Sequence, residues 1–172
     1  MRLLGTVFRA HNPRWSFAPA SGDGAARHGG RFNPVGTPAL YASLRPETAW
    51  REAQQGFAFK AQPLTIVAYD VDCDDVADLT DPEIRAQLRV ATEALACPWD
   101  ILRQRGGTPP SWEVASRLRR AGYAAAIVPS FAPGRTAEDR NAVFWRWSDA
   151  PPHRVAAVDA ERRLPRDARS WG

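Results

Sequence analysis

GGRFNPVGTPALYASLRPETAWRE, residues 29–52, sets two glycines before an arginine, then a turn, a short strand and a helix. Residues 39–43 are the strand, and its period of two puts Ala39, Tyr41 and Ser43 on one face. Pro46 belongs in a first helical turn, and RPETAWREAQQG predicts a helix closed by Gly56. At about 100° per residue, Ala49, Glu52 and Ala53 gather on one side while Glu47 and Arg51 lie opposite. Glu52 therefore faces inward, and Glu47 with Arg51, i,i+4 in the favourable order, form a solvated pair.

Working outward, residues 3–10 are apolar and β-branched enough for a strand that brings Arg9 to its end before the turn at Asn12 and Pro13. Residues 17–30 are small and turn-rich, a loop that can fold over a ligand. Residues 64–71, LTIVAYDV, give the clearest strand, continuous enough to be central in a sheet. An acidic stretch follows. Pro82 then opens a helix with Ile84, Leu88, Ala91 and Leu95 at helical spacing, ended by CPWD. Thr108, Pro109 and Pro110 start another, with Trp112, Ala115 and Leu118 inward and Gly122 after its end.

YAAAIVPS predicts a buried strand ending at Ser130, NAVFWRW a strand from Asn141, and RVAAV a last strand beyond Pro151 and Pro152. Strands outnumber helices without regular βαβ alternation. The pattern predicts an α+β fold: one domain over residues 1–172, with a mixed or antiparallel sheet and flanking helices. Its core spans about residues 3–158, and residues 159–172 form a polar, arginine-rich tail.

The totals agree with one globular domain. The chain has 172 residues, 44% hydrophobic and 24% charged. Its 23 basic residues outnumber 19 acidic ones, and all but Lys60 are arginine. A guanidinium fork suits phosphate or carboxylate edges, but codon bias also explains the bulk, so only individually placed arginines count. Cys73 and Cys97 are too few for a disulfide framework, and His11, His28 and His153 lack metal-ligand spacing. No metal is expected. The absence of an apolar run of about 20 residues or a signal core places the protein in the cytoplasm.

Two readings stand beside each residue that can carry chemistry. GGRFNP either brings main-chain N–H groups and Arg31 to a phosphate or is a hairpin turn with a surface arginine. Tyr41 stacks on a ligand or packs in the sheet. An inward carboxylate costs several kcal/mol to bury unpaired, so Glu52 is either salt-bridged or lines a cleft. Ser130 holds a phosphate or ribose oxygen, or caps its strand; Asn141 binds ligand or caps. No GxSxG is present, and no serine nucleophile is expected.

Taken in order, GGRFNPVGTPALYAS, TAWREA, IVPS and NAVFW resemble the RES-domain family, toxins of bacterial toxin–antitoxin pairs named for an arginine, a glutamate and a serine. The matching positions are Arg31, Glu52 and Ser130, with Tyr41 on the strand and Asn141 after the VPS loop. NAVFW departs from the family's usual NxLxN. The resemblance implies an ADP-ribosyltransferase-like fold and an enzyme that consumes NAD by hydrolysis, phosphorolysis or transfer of ADP-ribose to a protein. It implies that Glu52 stabilises cationic ribose, Arg31 holds the pyrophosphate, Tyr41 stacks on nicotinamide or orients the ribose, and Ser130 contacts phosphate or ribose. Arg9 is a further candidate for the phosphate grip. The implied partner is an antitoxin with a helix-turn-helix portion, and neither membrane nor direct nucleic-acid binding is expected. Two other classes compete: a basic module or toxin directed at RNA, suggested by the pI near 9.7, and an NAD-binding protein without turnover.

Overall fold

The computed structural model describes residues 1–54 and 63–171. Seven strands, β1 (Leu3–His11), β2 (Leu40–Ser43), β3 (Thr65–Cys73), β4 (Val76–Asp78), β5 (Ala125–Pro129), β6 (Arg140–Phe144) and β7 (His153–Ala157), form one sheet. Its order is β4-β5-β6-β2-β1-β3-β7. Only the β4–β5 pair is parallel, so the sheet is mixed, and with its flanking helices it makes one α+β domain. Met1 exchanges two backbone hydrogen bonds with Val76, which brings the head of β1 back to β4 and curls the sheet.

Alternation along the strands builds two cores. In β5, Ala125 and Ile127 join Val7, Tyr69, Val71 and Phe144 on one face, while Ala126 and Val128 face the helices on the other. β3 is interior but second from the edge, and only alternate residues are buried. Tyr69 is 0% exposed and Ile66 45%. The continuous apolar run that suggests a central strand therefore has one face toward solvent.

The helices are α1 (Asp23–His28), α2 (Pro46–Ala53), α3 (Pro82–Gln87), α4 (Thr92–Ala96), α5 (Trp99–Gln104) and α6 (Pro110–Arg120). α1 lies inside the segment read as loop. Asp23 in its first turn and Arg27 and His28 in its last complement the helix dipole, and Gly29, at φ 72°, ends it by donating to Ala25 O. The single helix expected over 82–95 is broken. Arg89 takes a left-handed φ of 51°, Val90 donates to Arg85 O, and Arg117 caps the freed carbonyls of Leu88 and Arg89. That exchange turns Val90 into the core, 6% exposed. α5 and β4 are elements that the sequence pattern did not reveal, β4 being three residues within the acidic stretch. α6 follows its expected face, with Ala115 and Leu118 buried.

α2 ends at Ala53 with Gln54 as its C-cap; Gly56, expected to close it, lies outside the described residues. Leu164, in the tail, packs against the first core. Among the described residues no helix is long and apolar enough to cross a membrane. Many of the arginines pair with acids, as Arg2 with Asp72 and Arg154 with Asp70, and others hold main-chain carbonyls, as Arg85 holds Leu79 and Thr80.

Candidate active site

Arg31, Tyr41, Glu52, Asn141 and Arg9 all line one cleft of about 440 Å³, where the end of β1, the 29–32 turn, β2 and α2 meet. A larger hollow, about 610 Å³, opens at the opposite end of β1, beside Arg45 and Glu138, which form an ion pair at 2.7 Å. None of the residues singled out from the sequence reaches it.

The carboxylate is held by a chain of short hydrogen bonds. Ser130 Oγ and Asn141 Nδ2 each donate to Glu52 Oε1 at 2.6 Å, and Ser43 Oγ donates to Asn141 Oδ1 at 2.6 Å. The wheel reading of Glu52 as inward holds, and it lines the cleft. Ser130 does not stand on the cleft wall. Its side chain is 0% exposed, its hydroxyl is spent on Glu52, and its Oγ accepts from Ala132 N. In this arrangement the Ser130 hydroxyl meets the cleft through the Glu52 carboxylate. Asn141 binds Glu52 in the same way but remains at the surface of the cleft.

The glycines shape the turn itself. Gly29 N–H donates to Ala25 O and Gly30 N–H to Asn33 O, so both amides are used inside the loop. What Gly30 supplies is space: a β-carbon there would meet the Tyr41 hydroxyl at 2.6 Å and Asn33 Oδ1 at 2.7 Å. Tyr41 OH donates to Asn33 Oδ1 at 2.7 Å and accepts from Phe32 N at 2.9 Å. Burial pushes this phenol well above its ordinary pKa, so it stays neutral and locks the turn.

Arg31 is fixed by the same turn. Its Nη1 donates to the carbonyls of Leu95 and Cys97, at 3.2 and 2.7 Å, and its guanidinium lies 4.3 Å from the centre of the Phe131 ring. Burial lowers its pKa, and the nearby Cys97 and Glu52 act in the opposite sense. It is a preorganised cation in a partly desolvated cleft, not a surface arginine. Arg9 lines the same cleft, yet its Nη1 holds the carbonyls of Pro19 and Ser21 and so clasps the 12–22 loop over the sheet.

Asp139, which no local pattern marked, ties the site together. It is 4% exposed; Thr48 Oγ1 donates to it at 2.5 Å, Arg51 Nη1 at 2.7 Å, and Thr136 through both N–H and hydroxyl. Its own carbonyl accepts from Ser130 N. Arg51 thus turns to Asp139 rather than to Glu47, which lies 3.7 Å from Arg45 instead. Among the described residues no cluster of His, Cys, Asp or Glu could hold a metal ion.

The RES domain family model matches residues 6–167. The chain belongs to the RES domain family. No curated protein matches this RES domain. Among solved structures it is similar to a chain of the M. tuberculosis MbcT–MbcA toxin–antitoxin complex, at 20% identity and a TM-score of 0.60. That alignment covers 92% of this RES domain and 84% of the other chain, a likeness of fold.

Proposed function

We propose that this RES domain is the toxin of a toxin–antitoxin pair and breaks the bond between nicotinamide and ribose in NAD. The observation that carries the reading is Glu52, a carboxylate oriented by Ser130 and Asn141 on the wall of the cleft that Arg31 also lines. When that C–N bond breaks, its electron pair leaves with nicotinamide and positive charge spreads over the ribose carbon and ring oxygen. A fixed anion stabilises the charge as it develops. Arg31 neutralises the pyrophosphate and so positions the ribose against Glu52. Tyr41 and Gly30 keep Arg31's turn in place, and the Tyr41 ring forms a wall for the nicotinamide end.

An oxygen nucleophile then attacks the same carbon and gives up its proton. Water, inorganic phosphate or a protein hydroxyl would yield hydrolysis, phosphorolysis or ADP-ribosylation by an ADP-ribosyltransferase-like enzyme. The purified protein is expected to consume NAD and release nicotinamide at a matching rate, with mass spectrometry identifying the acceptor. Folded protein that leaves NAD intact in buffer, phosphate and lysate would end this reading, and tight binding without release would favour a non-turnover NAD protein.

Loss of a central cofactor in the cytoplasm calls for restraint. The partner is an antitoxin with a helix-turn-helix portion that covers the cleft, a reading supported by family membership and by the fold shared with a toxin–antitoxin complex. Co-expression with it should abolish NAD loss in the same assay.

A further inference from the structure

We infer that Arg135 is the second arm of the anion grip at the rim of this cleft, brought close to Arg31 by the Phe131 ring that both approach, and suited to a ligand with two linked phosphates. The inference rests on the NAD reading and adds a residue and a ligand preference to it. The Arg31 guanidinium carbon lies 4.3 Å from the Phe131 ring centre and the Arg135 guanidinium carbon 6.0 Å from the same centre. Phe131 lines the cleft. Two cations therefore approach one ring of the cleft wall, Arg31 from within the lining and Arg135 from beyond it, and among the described residues neither forms a salt bridge with a carboxylate.

That arrangement does not serve the fold. Arg135 is exposed, and its charge acts against the protonated form of Arg31. Like charges brought together around a cleft create a positive potential that an anion relieves. The placement is also built rather than incidental. Gly134 turns the chain at φ 74°, Arg135 N–H donates to Ala132 O at 3.3 Å, and the next residue, Thr136, is fastened by two hydrogen bonds to the buried Asp139. The backbone that presents Arg135 is thus anchored to the same carboxylate that anchors α2.

One guanidinium matches one phosphate edge bidentately. Two of them near one aromatic ring offer an edge to each phosphate of a pyrophosphate, and they favour a dinucleotide over a mononucleotide. Arg31 is the inner arm, fixed by main-chain carbonyls; Arg135 is the outer arm, reached first by an incoming ligand.

The test is calorimetric binding of ADP-ribose to wild type, Arg135→Ala and Arg135→Lys over a range of salt concentrations, with kcat and KM for NAD measured in parallel. Arg135→Ala should weaken ADP-ribose binding about tenfold and flatten its salt dependence. KM for NAD should rise with kcat unchanged, and Arg135→Lys should recover part of the loss. If wild type binds ADP-ribose and Arg135→Ala binds it equally well, the second arm is refuted while the NAD reading stands. Weaker binding with an unchanged salt dependence would assign the effect to the Phe131 surface and also refute it. Folded wild type that binds no ADP-ribose would remove the NAD reading and this inference with it.

Discussion

Glu52→Gln should fold as the wild type does and release nicotinamide about 100- to 1,000-fold more slowly, with KM for NAD little changed. The amide oxygen of glutamine still accepts from Ser130 Oγ and Asn141 Nδ2, which both meet Glu52 at Oε1, so these two hydrogen bonds survive. What is lost is the negative charge, and in the proposed mechanism that charge acts in the step in which the ribose becomes cationic. Glu52→Ala makes a useful contrast. It strands the Ser130 hydroxyl and the Asn141 amide without their acceptor, at about 1–3 kcal/mol of stability, so its rate loss would mix chemistry with a disturbed site. The proposed mechanism fails if Glu52→Gln, shown to be folded by circular dichroism and thermal melting, turns over NAD at the wild-type rate.

Residues whose placement depends on local geometry are legible in the sequence. Helical periodicity alone turns Glu52 inward, and the strand period puts Tyr41 and Ser43 on one face, where both line the cleft. The α+β class follows from the unequal run of strands and helices. Partnerships across the sheet are not legible in this way. Arg51 looks satisfied by Glu47 one turn away, yet its partner is Asp139, 88 residues along the chain, because the β5–β6 turn comes up against α2. Ser130 falls at a strand end as its pattern predicts, but only the packing of α2 against that end shows that its hydroxyl supports Glu52. The left-handed Arg89 escapes because an arginine there gives no warning; glycine is the usual sign of such a helix end.

Removing the Asp139 charge should have the largest effect on stability and should reach the site as well. In Asp139→Asn the amide nitrogen that replaces one oxygen cannot accept from Thr136 N–H, and Arg51 loses its counter-charge beside a group only 4% exposed. Breaking one side of a buried ion pair costs about 3 kcal/mol, equivalent to about 6–12 °C in Tm for a domain of this size. Hydrogen bonds, led by that from Thr48, hold the Asp139 carboxyl well below the usual carboxylate range. A depressed folded pKa means that the stabilisation is fully present above the unfolded value of about 3.9. It is lost as the pH falls through the folded value. The Tm gap between wild type and variant should therefore stay constant from neutral pH to about pH 5 and close only in stronger acid. A gap that is absent at pH 7, or one that does not narrow on acidification, would show that Asp139 does not clamp α2 to the β5–β6 turn. If the clamp is real, kcat must fall too, since Thr48 and Arg51 precede Glu52 on the same helix and Asn141 follows Asp139 by two residues. Thr48→Val, which deletes one hydrogen bond and no charge, should reproduce that loss of kcat in smaller measure, and its smaller Tm gap should also close in strong acid, because the bond it deletes leads the depression of the Asp139 pKa.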